Sequence, residues 1–248
     1  MANWSDPRPS AAPFGTTATT GSTAYDAGLR SYMLSVYNYM TSGVLLTGIV
    51  ALLFAWGGRD SMAAQVFLHG GLLKYVIMFA PIGFVFALSM GVNRMKTSTM
   101  QLLFWAFAIV MGLSLSTIFL VYSGASIAAA FFATAAGFAA LSLYGYTTKR
   151  DLSAFGTFLT IGLVGLIVAS LINVFMQSGT MALVISFVGV LLFAGLTAYD
   201  TQRTKSLYYQ VRGTDMRDRV VIMSALSLYL DFINMFLFIL RLFGSSRD

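Results

Sequence analysis

The sequence contains no cysteine, and its nine acidic residues are all aspartate, glutamate being absent. Without thiols there can be no disulfide, no thiolate metal centre and no cysteine nucleophile. The single histidine, His69, stands alone in a link between apolar runs, which argues against a metal site or a catalytic dyad there. Charge is scarce too: Asp, Lys and Arg make up 10% of the residues, against roughly 25% in a typical soluble domain. Aliphatic, aromatic and Met residues fill 58% of positions. Such a chain cannot cover itself with water-facing groups, so its surface meets lipid. The net charge of +6 would suit nucleic acid, but the basic residues fall in the links between apolar runs, as membrane topology alone arranges them. Nucleic-acid binding is therefore not expected. Phosphate loops, dinucleotide fingerprints and nucleophile elbows are also missing.

Proline is rare, and three of the four (Pro7, Pro9, Pro13) lie at the start of the chain. With Ser, Thr, Gly and Ala around them, they predict a disordered tail over residues 1–30 and a membrane domain over 31–248. The tail has no basic start followed by an apolar core, so a cleaved signal peptide is not expected. Seven apolar runs follow, at about 34–56, 75–93, 101–122, 125–146, 153–176, 181–205 and 220–243. Each is long enough to cross ~30 Å of hydrocarbon as a helix. The links at Ser123–Gly124 and Ser178–Gly179 allow only tight turns between antiparallel helices. Open strands cannot span a bilayer, and the alternating segments of a β-barrel are absent. The expected fold is an all-α integral membrane bundle of seven helices.

Orientation follows from Lys and Arg. The tail and the even-numbered links hold Arg8, Arg30, Arg94, Lys96, Lys149, Arg150, Arg203, Lys205, Arg212, Arg217 and Arg219, while the other side holds Arg59, Lys74, Arg241 and Arg247. The positive-inside rule then places the N-terminus in the cytoplasm and, after seven crossings, the C-terminus outside. A re-entrant last segment would return the C-terminus to the cytoplasm.

Polar residues inside the last run point to chemistry. Ser224, Ser227, Asp231 and Asn234 are spaced three, four and three apart, which sets them in one stripe on a helix. An ionisable group at mid-bilayer costs ~2.5–3.5 kcal/mol on insertion scales, so the stripe must face other helices or a wet cavity. It is either a hydrogen-bonded seam or a functional pathway. Ser or Asn would make a seam more cheaply than Asp. Asp200 ends the sixth run and is followed by polar residues, so it is either an interfacial acid neutralised by Arg203 or Lys205, or the partner of Asp231. Two carboxylates in reach of each other in a low dielectric share a proton, and such a pair can sense pH, relay protons or transiently bind a hard cation such as Ca²⁺. They meet only if helix six continues through Gln202 to about Lys205. Arg94, at the end of the second run, is either an ordinary membrane anchor or a counter-charge for the aspartates. Pro81, on the same helix, is a candidate kink.

Other features are expected to be structural. Ala125, Ala129, Ala133 and Gly137 form a small-residue face suited to close helix packing. Ser170, Asn173 and Gln177 suggest hydrogen bonds between helices.

The run Ala225-Leu-Ser-Leu-Tyr-Leu-Asp231-Phe-Ile-Asn234, closing with Leu240-Arg241-Leu-Phe-Gly244, resembles the C-terminal signature of the transmembrane Bax inhibitor motif family. Tyr199-Asp200 with Gln202, and Gly112-Leu-Ser-Leu, resemble it as well; the likeness covers about residues 25–244. The resemblance implies two three-helix layers around a central C-terminal helix in the inner (plasma) membrane of a bacterium. It also implies a pH-sensitive Ca²⁺ leak governed by the pair Asp200 and Asp231, with Arg94 in the place of the arginine latch of bacterial members. Ca²⁺ and protons would be what passes, with no resident cofactor and no enzymatic activity. The link between helices six and seven looks long for a bacterial member.

Two other classes compete with a leak channel. An intramembrane aspartyl protease also places Tyr-Asp on one helix and Asp on the next, but its second aspartate follows Gly-x-Gly, whereas here Leu228-Tyr-Leu precedes Asp231. A non-transporting scaffold that regulates protein partners is the other. A retinal receptor is not expected, since the last helix has no lysine.

Overall fold

The computed structural model describes residues 17–245, and it is helical with no β-strand among them. Seven helices are long and apolar enough to cross a membrane: α1 (Thr17–Phe54), α2 (Leu73–Gly91), α3 (Thr97–Leu115), α4 (Gly124–Thr147), α5 (Ser153–Met176), α6 (Gly179–Val211) and α7 (Arg217–Phe243).

Local chemistry sets the boundaries. Gly57 and Gly58 end α1 by adopting positive φ, at 99° and 61°, where a side chain would be strained. The tight turns at Ser123 and Ser178 are N-caps: each hydroxyl accepts a bond from the amide three residues on, Ser126 and Met181. Helix α2 runs continuously through Pro81.

Three boundaries depart from the sequence expectation. Residues 17–30 of the supposed tail are helical, and the first sixteen residues lie outside the described part. From Leu29 onward, Tyr32, Met33, Val36 and Met40 continue a buried stripe that packs α1 into the bundle. Helix α6 extends to Val211 rather than ending near residue 205. Consequently the link to α7 is short, Arg212 to Met216, turned by Gly213 at φ 75°. It is not the long link that the apolar runs suggested.

Helix α7 is the axis of the bundle. In its most apolar window 72% of residues are buried, against 11% for α2 and α5. It packs against α6, α1, α4 and α3; α2 lies against α3, and α5 against α6. Its first turn lies beside the end of α2, where Arg219 donates to the carbonyls of Val92 and Met95 at 3.2 and 3.4 Å. At the other end, Ser245 accepts from the Ser123 amide at 3.1 Å, in the α3–α4 turn. The last helix therefore runs the full height of the bundle and is not re-entrant.

Two packing expectations fail. The face of Ala125, Ala129 and Ala133 is exposed, and Gly137 meets no neighbour; α4 buries Ile127, Ala130, Thr134, Phe138, Ser142 and Gly145 instead. Nor do the polar residues of α5 bridge helices. Ser170 bonds its own helix at Leu166, Asn173 accepts from the Ser178 amide, and Gln177 closes α5 with a left-handed φ of 51°.

Candidate functional site: a buried aspartate pair

Asp231 projects from the middle of α7 and is 4% exposed. Asp200 is half-buried on α6. Their side-chain carboxyls lie within hydrogen-bonding reach of each other. The extension of α6 makes this possible. Asp200 stands eleven residues before the end of α6, and Asp231 fourteen after the start of α7. By helical rise these are ~16 and ~21 Å from the ends of an antiparallel hairpin, so the two side chains reach similar depth. The Oδ2 atom of Asp231 is buried and receives no hydrogen bond from the described residues.

Asp200 is held from three sides. Upstream, glycines let two helices approach closely. A Cβ on Gly145 of α4 would run into the Ala198 carbonyl oxygen, and one on Gly156 of α5 into the Tyr199 ring. Beside it, the Thr201 hydroxyl bonds Ser142 of α4 at 3.1 Å. Downstream, Gln202 accepts from the Leu152 amide at 2.9 Å and donates to the Arg150 carbonyl at 2.8 Å, and Lys205 donates to the Tyr146 carbonyl at 2.9 Å. The α4–α5 link is thus stapled to α6 within two turns of Asp200. In that link Asp151 is held below the usual carboxylate range by its hydrogen bonds with the Ser153 side chain and amide.

Asp231 is fixed by its own helix. Tyr229, fully buried two residues before it, exchanges a 2.7 Å bond with the Thr47 hydroxyl of α1, which also donates to the Ala108 carbonyl of α3 at 2.8 Å. Its ring meets Phe107 edge-on at 5.1 Å. These contacts set the rotation of α7 and turn Asp231 toward α6.

The other expected residues divide. Ser224 is buried with Asp231 on the stripe, and neither its hydroxyl nor the buried Tyr32 hydroxyl of α1 has a hydrogen-bond partner among the described residues. Ser227 is half-buried. Asn234 bonds back to the Leu230 carbonyl at 2.8 Å and, with Ser170, lines a small cavity between α5, α6 and α7. Arg94 does not join the pair. It is exposed in the turn after α2, and the salt bridge found among the described residues is Arg217–Asp218. The basic charge acting on Asp200 is Arg203, one turn further along α6. Sequence reasoning counted Arg219 only as a loop charge; its position at the first turn of the central helix was the available signal.

No third His or acidic group joins the two aspartates to make a metal cluster among the described residues. Two carboxyls fall short of the six to eight oxygens of a resident Ca²⁺ site. They suit a proton, or a cation in transit.

Comparison with known proteins finds relatives along most of the chain. The model of the family described as inhibitor of apoptosis-promoting Bax1 matches residues 29–248. A protein of Rickettsia prowazekii, RP147, is 44% identical over 232 residues, covering 94% of this chain and 97% of its own. The inner membrane protein YbhL of Escherichia coli K12 is 43% identical over 224 residues, covering 89% and 94%. A protein of Caulobacter vibrioides is 42% identical over 231 residues, covering 90% and 92%.

Proposed function

This chain belongs to the Bax inhibitor family of multi-pass membrane proteins, and from that premise we propose that it is a pH-sensitive calcium leak channel governed by the Asp200–Asp231 pair. The observation that carries the reading is the burial of two carboxyls against each other inside the membrane-spanning hairpin. A stabilising seam needs no ionisable group there, and each charge is costly at that depth. A shared proton keeps the pair together. Its loss leaves two like charges in contact, which must separate, recruit a cation or attract a basic side chain.

Arg94 is the basic side chain we assign to that last role. In the conformation described here it is off the pair, and Arg219 holds the adjoining turn to α7. A movement of α2 that brings Arg94 inward requires a charged pair to receive it. The latch therefore engages at higher pH and releases as protons return. In this reading the basic end of the bundle faces the cytoplasm, as in the inner membrane of a bacterium, and the C-terminus lies outside. The pair is, in this reading, not that of an intramembrane aspartyl protease, since Leu228-Tyr-Leu and not Gly-x-Gly precedes Asp231.

Reconstitution in liposomes tests the reading. Ca²⁺ should leave protein-containing vesicles faster than empty ones, at a rate that depends on pH. Absence of flux at every pH would favour a regulatory scaffold.

A further inference from the structure

Helices α1 and α4 both pack on α7 but are parted from each other by a groove of about 670 Å³ that opens sideways into the bilayer. Met33, Met40, Phe138 and Phe232 form its buried floor, and Leu34, Leu45 and Leu143 stand exposed on its rim. Arg30 and Tyr146 line its mouth at the basic end of the bundle. From Arg30 to Leu45 the groove runs ~22 Å along α1 by helical rise, about the depth of one leaflet with its headgroups. Arg30 is exposed and has no ion-pair partner among the described residues. Arg30 is thus the cation that lines this mouth.

We propose that this groove binds one acidic phospholipid, its acyl chain lying along Phe138 and Phe232 and its phosphate held by Arg30. Shape and charge agree on that occupant. The walls offer nothing to a polar ligand except Tyr37, Thr41 and Ser142, whereas a hydrocarbon chain covers the exposed floor. The cation at the mouth then favours an anionic headgroup over a zwitterionic one. The floor adjoins the aspartates without including them: Phe232 follows Asp231, and Ser142 bonds Thr201, the residue after Asp200. A seated chain therefore seals the α1–α4 side of the pair against water. The lipid site stands independently of any calcium flux.

The test uses the full chain in maltoside micelles, with phosphatidylglycerol or phosphatidylcholine added, reading lipid retention by native mass spectrometry and melting temperature in parallel. The wild type should retain one phosphatidylglycerol in preference to phosphatidylcholine and melt at a higher temperature with it. Arg30→Ala, at an exposed position, should reduce that preference about fivefold, the share of one basic residue in attraction to acidic lipid, without changing the melting temperature in lipid-free detergent. Ala139→Phe, which fills the groove from its open wall, should abolish retention of both lipids, and Ala135→Leu repeats the test if that variant does not fold. Asp231→Asn should leave retention unchanged. Equal retention of the two lipids by the wild type would overturn the proposal. So would retention that survives groove filling, or a melting shift of the same size with inorganic phosphate alone.

Discussion

Asp200 and Asp231 come from adjacent antiparallel helices joined by a five-residue link, and their carboxyls meet deep within the span rather than at its edge. Pairing at that depth ties the two residues into one titrating unit, so neither should behave as an isolated acid.

Mutations in the pair should accordingly be non-additive. Asp200→Asn and Asp231→Asn are each expected to remove the pH response of Ca²⁺ flux, and the double variant should resemble either single one. A double-mutant cycle on flux measures this; independent, additive effects would separate the two residues functionally.

Arg94→Ala should flatten the pH response from the other side. The negative charge that attracts Arg94 is present at higher pH and disappears as the pair regains its proton. The wild type should therefore hold α2 inward at higher pH and release it on acidification, while the variant stays released throughout. Because the chain lacks cysteine, Met90→Cys on α2 and Ser206→Cys on α6 give a clean spin-label pair. Their distance should change with pH in the wild type and remain constant in Arg94→Ala.

Gln202→Ala should destabilise the protein without abolishing its fold. The change removes the acceptor of the part-buried Leu152 amide, at about 0.5–1.5 kcal/mol for the net worth of one hydrogen bond, while the exposed Arg150 carbonyl turns to water. A lower melting temperature in detergent checks it. Gln202→Glu keeps an acceptor for Leu152 and should recover part of the loss.

Tyr229→Phe removes the hydroxyl that joins α7 to Thr47 while keeping the ring against Phe107. Thr47 keeps its bond to Ala108, so the expected loss is about 0.5–1.5 kcal/mol, the net worth of one hydrogen bond. Thermal unfolding measures it. A much larger loss would mean that the hydroxyl, and not the ring, fixes the rotation of α7.

Hydropathy alone made the seven spans and the tight turns at Ser123 and Ser178 legible, because membrane helices are selected by length and apolarity. The end of α6 was not legible in that way. Residues 199–211 look like an exit into water, yet Thr197, Thr201, Thr204 and Tyr208 recur every three or four positions and turn inward. Small polar groups at helical spacing carry that signal where hydropathy is silent. Asp231 could be placed from its stripe, since an acid amid apolar neighbours must face inward. Asp200 needed the family resemblance, because its depth depends on how far α6 continues. The clamps at Gly145 and Gly156 and the hold of Arg219 on the α2–α3 turn depend on which helices meet, which a single sequence does not state.

The pH profile of Ca²⁺ efflux from liposomes holding the wild type or Asp231→Asn, at equal protein density, tests the role of the pair most directly. A pH-dependent leak in the wild type and a pH-independent rate in the variant is the expected result. An unchanged rate with an unchanged pH response in Asp231→Asn would contradict it.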